Sequence, residues 1–532
     1  MTSRARPTRV SPFRPFRHRA FATVWTGSFV SNIGTWMETV AIGVYVTQTT
    51  GQAAWTGTVA ALTYVPTVLL GPFGGALADR FDRRRFLVAV TMFQVALAGT
   101  LTLLAAGGRL SVPAVAAIVL LAGCAFAVAM PAVQAMTPDL VGPDDLLGAM
   151  SLGAAQFNLG RVVGPALAGL VITAGGLAWA FGLNTVSFGA VLVALAMVRI
   201  PPPAQRAPGR VRVLRTIAHG VVAARRDPGI RTALLLLLAT TFLVSPFIGL
   251  VPAVAIKVFD RGATGTSALV TAQGVGAVCS ALAAGALAGM LGRRRLLVAA
   301  LLLVGPAAIA YGLAPAFPLA VAGIALLGFV YLAVLSGTST VCQVRAPREL
   351  RARMASLFML AVGGGHATGL VVQGWLGDRV GLPAVTAVTG LLLLGIVAAV
   401  RLLRPDLLAA MDDPAAAPSP VAPVEATPAA VEAPSPAMPA WDPAGSSDVH
   451  PLQTEDGQGQ RGQGHHGRED GRADRPEPDG EVDAAAGQDG GEHALGVAAD
   501  GERRRGRGHA DQRPLPEQGV READDDRAGH QE

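Results

Sequence analysis

The chain has 532 residues, of which 51% are hydrophobic and only 15% charged, with a formal net charge of +6 and a mean hydropathy of +0.45. A value so far above zero, reached despite a very polar C-terminal tail, excludes an ordinary soluble enzyme and requires that the first four hundred residues be lipid-soluble segments. Every basic residue except Lys257 and the histidines is an arginine, and their clustering between apolar runs explains the positive charge without nucleic acid.

Residues 1–19 are basic and punctuated by proline. The apolar run at 21–46 is too long for a signal-peptide core and reads as the first membrane helix. Further spans are predicted at 55–78, 86–106, 112–136, 150–173 and 179–198, then at 232–258, 265–288, 296–312, 317–341, 354–376 and 383–403. The expected fold is all-α and integral to the membrane, with twelve helices in two pseudo-symmetric six-helix bundles at 20–198 and 232–405. Arginines gather at 80–85, 199–231, 293–295, 345–353 and 401–404, all on the side of the N-terminus. By the positive-inside rule both termini and the central loop are cytoplasmic.

The central loop, 199–231, mixes basic and apolar positions at helical spacing and is expected to form an amphipathic cytoplasmic helix that breaks at Pro228. From residue 406 to 532 the composition turns to Ala and Pro, then to Gly, Asp, Glu, Arg and His. Such a stretch buries too little apolar surface to offset chain entropy and is expected to be disordered. Cys124, Cys279 and Cys342 have no metal-ligand spacing and are expected to pack as small apolar residues.

Two internal matches argue for a duplication. GALADRFDRRR from Gly75 is echoed by GALAGMLGRRR from Gly285, 210 positions later, and GRVVGPALAG from Gly160 by GHATGLVVQG from Gly365, 205 positions later. A doubled six-span unit is the signature of many secondary transporters, with the substrate site at the interface of the repeats. Ionisable residues inside spans are costly and mark candidate sites. Glu38 lies in the outer part of the first span, whereas Arg161 and His366 lie near mid-membrane. The 205 offset makes Arg161 and His366 equivalent positions in the two halves. Glu38 is the candidate proton-exchanging carboxylate, paired with Arg161 in one state of the cycle, and His366 is expected to line the pathway. Asn32, Gln156, Asn158 and Gln273 could add polar contacts.

The loop GGALADRFDRRR resembles the cytoplasmic signature of the major facilitator superfamily through Gly75, Asp79, Arg80, Arg83 and Arg84, with Asp82 in place of its second glycine. SNIGTWMETVAIGVYV, VPTVLLGPFGGALADRFDRRR and HGVVAARRDPGIR resemble the drug:proton antiporter branch that includes bacterial macrolide and enterobactin exporters. GRVVGPALAG is similar to the helix 5 motif of antiporters, matching at Gly160, Gly164, Pro165 and Gly169, which implies close helix packing. The resemblance implies that Asp79 acts as a conformational latch, with Arg80 and Arg84 as partners. The arginine that many antiporters carry in the fourth span is absent from 112–136.

These readings imply a secondary transporter, not an enzyme, that exports a small amphipathic molecule such as a drug, siderophore or metabolite against inward proton flow. It is expected in the inner (plasma) membrane, bound by lipid, as a monomer with no cofactor, metal or nucleic acid. The scarcity of fixed charge suits a neutral or cationic hydrophobic compound better than a sugar or an anion. An importer or facilitator of the same fold, or a sensor or scaffold working through its tail, are the alternatives. No nucleotide-binding loop supports ATP drive.

Overall fold

A computed structural model of the protein describes residues 13–80, 82–198 and 213–411, with backbone alone for 71–80 and 213–219. The tail expected to be disordered lies outside the described residues apart from its first six. In lipid every backbone polar group must be satisfied internally, and helices do this within one segment. Among the described residues there is accordingly no strand.

The first half comprises α1 (Arg19–Thr50), α2 (Ala53–Arg80), α3 (Arg83–Ala106), α4 (Val112–Val141) and the long α5 (Leu146–Met197). The last of these is two spans in one, because the chain turns at Gly176, whose φ of 77° suits a residue without Cβ. The amphipathic α6 (Val213–Arg226) leads into the second half, α7 (Pro228–Leu243), α8 (Val251–Lys257), α9 (Ala263–Leu291), α10 (Arg293–Gly312), α11 (Phe317–Arg345), α12 (Arg351–Val380) and α13 (Leu382–Leu403), ending in the short α14 (Pro405–Ala409). Among the described residues ten helical segments are long and apolar enough to cross a membrane. The second span within α5 and the more polar 32-residue α1 complete the expected twelve.

The pairing of helices carries the duplication into three dimensions. In the first half α1 packs on α5, α2 on α4 and α3 on α5; in the second, α7 packs on α12, α9 on α11 and α10 on α13. Each pair has its counterpart six spans later. The halves then meet through α2 against α12 and α5 against α9, again related by the same exchange. The described part of α6 lies against the start of α12, with Gly220 beside Arg353 and Leu357.

Small residues set the closeness of this packing, since apolar side chains gain nothing by leaving lipid and helices associate through contact. At Gly276 on α9 an added Cβ would overlap the carbonyl oxygen of Ala325 on α11, which cannot swing aside as a side chain could. Gly276→Ala is expected to cost about 1–3 kcal/mol, read as a lower melting temperature in detergent. Gly289→Ala, on the same helix with nothing within 4 Å, is the control; equal melting temperatures for both variants would refute the packing role.

The seventh span departs from expectation. In place of one helix at 232–258, the chain is interrupted between α7 and α8, around a short 3₁₀ turn at Ser245–Phe247. Pro246 has no N–H, so the Phe242 carbonyl loses its usual donor. The Phe247 N–H turns to the Val244 carbonyl and frees that of Leu243 as well. Both freed carbonyls accept hydrogen bonds from Nε2 of Gln373 on α12, at 2.9 and 2.8 Å. A broken helix at membrane depth is stable only where neighbours re-satisfy its backbone in this way.

Candidate functional site

Along α5 and α9 the two halves touch at one end of the bundle and part at the other. On α5 and α9, Gly169 lies against Ser267, and Val162 with the Arg161 backbone lies against Gly274. Continuing this antiparallel register would bring Gly153 opposite residue 283, yet a Cβ at Gly153, Gly285 or Gly289 would meet nothing within 4 Å. No residue from 281 to 295 is buried. The helices therefore diverge beyond Arg161, and a cleft opens toward the end that carries the arginines of 83–85 and 293–295.

Arg161 stands where the cleft closes. Its guanidinium lies over the Trp36 ring, 5.5 Å from the centroid, and within electrostatic range of Tyr64, Tyr331 and His366. Its Nε has no hydrogen-bond partner, and no described carboxylate is among the groups acting on it. His366 is 3% exposed, its ring edge-on to Tyr64 at 4.5 Å. Nδ1 of His366 shares a short hydrogen bond with the Ser245 hydroxyl in the break of the seventh span, while Nε2 has no partner. Arg161 and His366, equivalent positions by the 205 offset, thus lie within electrostatic range of one another across the interface. Gln273, one residue from the Gly274 contact, is buried with Nε2 unpartnered.

Glu38 lies elsewhere. It accepts a 2.7 Å hydrogen bond from Nδ2 of Asn184 in the second span of α5. Positions 36 and 38 of a helix point about 200° apart, so Trp36 meets Arg161 while Glu38 faces the opposite side. This conformation does not bring Glu38 and Arg161 together. Asn32 lies against Gly160, with Nδ2 3.5 Å from the carbonyls of Gln156 and Phe157. Asn158 bonds the Ala154 carbonyl of its own helix. Gly164 abuts Ile33 and Trp36 of α1, and Pro165 is buried in α5 beside it; Gly169 faces α9 across the interface.

At the open end Gly75, Asp79 and Arg80 fall in the last turns of α2, but their side chains lie outside the described residues. Arg83 donates to Asp139 at 2.6 Å and to the Ala135 carbonyl at 3.1 Å, both on α4. Arg84 caps the end of α5 through the carbonyls of Leu195 and Ala196. Asp82 caps α3 by accepting from the Arg85 N–H. All these bonds lie within the first half, as does the pairing of Asp145 with Arg14 and His18. The cysteines are all unpaired; Cys342 is buried, Cys124 half-buried and Cys279 exposed.

Sequence reasoning passed over two charged constellations. At the closed end Asp378 of α12 accepts from the backbone N–H groups of Ala53 and Ala54, at 2.8 Å each, and from Lys257 at 2.6 Å. A carboxylate of the second half thereby caps the first turn of a helix in the first, where unsatisfied donors and the helix dipole both favour it. The signal was present: Gly374, Asp378 and Arg379 repeat the spacing of Gly75, Asp79 and Arg80. The other constellation is a buried pair, in which Asp227 caps α7 through the Ile230 N–H and receives Nε and Nη2 of Arg345 at 2.9 and 3.0 Å.

Two bundles of six spans, closed at one end around a polar apex, define a multi-pass membrane transporter rather than an enzyme. The chain belongs to the transmembrane secretion effector family of the major facilitator superfamily, whose model matches residues 10–430. It is 25% identical to macrolide efflux protein A of Streptococcus pyogenes over 370 residues, covering 68% of this chain and 90% of that protein. It is 29% identical to the enterobactin exporter EntS of Salmonella typhi over 381 residues, covering 70% and 89%. Among solved structures the fold matches the nucleoside transporter NupG, with a TM-score of 0.57, 12% identity and coverage of 74% of this chain and 99% of that one. It also matches an inward-facing bacterial homologue of the human lysosomal transporter Spinster, at 0.55 and 13%, covering 75% and 97%. This chain is an efflux or secretion transporter of that fold.

Proposed function

We propose that the protein sits in a bacterial plasma membrane, termini inward, and drives a small amphipathic molecule out of the cell by exchange with protons, the halves rocking about the apex at Arg161. The observation that carries this reading is the cleft, which opens at the arginine-rich end, the cytoplasmic one by the positive-inside rule, and ends at a polar cluster between the repeats. The macrolide and enterobactin exporters among its relatives support the outward direction.

Glu38 is the proton carrier in this scheme. It is the described acid farthest from any helix end, and its one bond, to Asn184, is compatible with either protonation state, since a neutral carboxyl can still accept from an amide. Rocking that exposes Glu38 to each side in turn would couple proton entry to substrate exit. Glu38→Gln is expected to cut gradient-driven efflux about tenfold or more while leaving substrate exchange without a gradient intact, as for loss of about 1.4 kcal/mol or more of coupling. Labelled macrolides and siderophores accumulated by cells with and without the protein, before and after collapse of the proton gradient, provide the measurement. Efflux that survives either the substitution or the collapse removes the proton from the mechanism.

A further inference from the structure

Arg161 lacks what a structural arginine has. A guanidinium that ties two helices ends on a carbonyl or a carboxylate, as Arg84 does on the end of α5 and Arg345 on Asp227. At Arg161 the Nε is buried without an acceptor, and the groups within electrostatic range of the charge are Tyr64, Tyr331 and His366, none of them a carboxylate. Its remaining support is the face of Trp36. Within its electrostatic range Nε2 of His366 has no partner, and it carries the proton whenever Nδ1 accepts from Ser245, leaving a donor unmet. A fixed cation in a low-dielectric pocket without a counter-ion attracts one.

We infer that the transported molecule is an aromatic acid, whose carboxylate or ionised phenol is received by Arg161 while its ring lies among Trp36, Tyr64 and Tyr331. The inference rests on the reading of the cleft as the transport path and adds the charge of the cargo. It departs from the expectation of a neutral or cationic compound, which counted charges along the spans without knowing that Glu38 faces away from the apex. The planar fork of the guanidinium suits a two-oxygen anion held in the plane, and the aromatic walls suit a flat body.

The test uses the full chain in nanodiscs of phosphatidylcholine alone, so that no anionic headgroup competes. Tritiated 1-naphthoate, 1-naphthamide and 1-naphthylmethylamine share one ring system and differ in charge. Naphthoate is expected to bind tightest, and Arg161→Gln to weaken it about tenfold to hundredfold, the loss of a charge-assisted hydrogen bond, with the other two unchanged. Arg161→Lys, which keeps the charge but not the fork, should fall between. Equal or tighter binding of the amine, or no Arg161-dependent binding of naphthoate, overturns the inference. Should Arg161→Gln fail to purify as a single species, the order of the three probes on the unaltered protein decides alone. Transport in everted vesicles separates the two readings. Gradient-driven export of cationic drugs unaffected by Arg161→Gln sinks the acid and leaves the carrier, whereas Arg161-dependent naphthoate binding with no gradient-driven movement does the reverse.

Discussion

Asp227→Ala is expected to destabilise the folded protein by about 3–5 kcal/mol, the usual penalty for removing one partner of a buried ion pair. Asp227 and Arg345 are 7% and 8% exposed, so the guanidinium would keep its charge in a site closed to water without its carboxylate. The substitution also removes the cap that holds the Ile230 N–H, a further contribution of about 1 kcal/mol. The measurement is the fraction of protein recovered monodisperse from detergent and its melting temperature. Asp227→Leu with Arg345→Met should recover much of the loss, because well-packed apolar replacements of a buried pair are often neutral. If Asp227→Ala melts like the unaltered protein, the pair contributes nothing and α7 is held by its apolar face alone.

The second large effect is conformational. Asp378 is a direct polar tie between the halves at the closed end, so Asp378→Ala should release that end without unfolding either bundle. Two backbone N–H groups of α2 lose their acceptor, and Lys257 loses its partner. The Lys257 pair lies within the second half, so the contact that crosses is the cap, which contributes about 1 kcal/mol and would shift the open-to-closed ratio roughly 5-fold. Spin labels at Arg109 and Leu313, exposed in loops of opposite halves at this end, report it. Their distance distribution should gain a longer component in the variant, with transport reduced. An unchanged distribution would mean that the close packing at Gly57, Gly374 and Gly169 seals this end unaided.

How far the sequence could be read depended on whether a feature was local or relational. The duplication was legible because glycines and arginines recur at fixed offsets, and the same offsets make Arg161 and His366 equivalent positions in the two halves. The direction each side chain faces was harder. Glu38 and Trp36 are two residues apart and so on opposite faces of α1, a geometric fact that sufficed to separate Glu38 from Arg161 but needed α5 to give it meaning. The interruption at Ser245–Phe247 escaped because hydropathy averages across it and Pro246 stands alone in an apolar run. Gln373, which satisfies the freed carbonyls, looked like any polar residue at a helix face. Asp378 was missed because its likeness to Asp79 falls at an offset unrelated to the duplication. Asp227 was visible as a helix cap before Pro228, but nothing in the chain points from it to Arg345, 118 positions away.

An unbroken helix resists bending along its whole length, since curvature must stretch a ladder of bonds at once. The seventh span is jointed instead. Turning α8 against α7 stretches fewer bonds at residues 242 to 246, where the Phe242 and Leu243 carbonyls are held by Gln373 of α12 and Ser245 by His366. One of these ties, His366, keeps an unpartnered Nε2. On the proposed transport path, cargo that drew this imidazole toward itself would loosen the joint by the same movement.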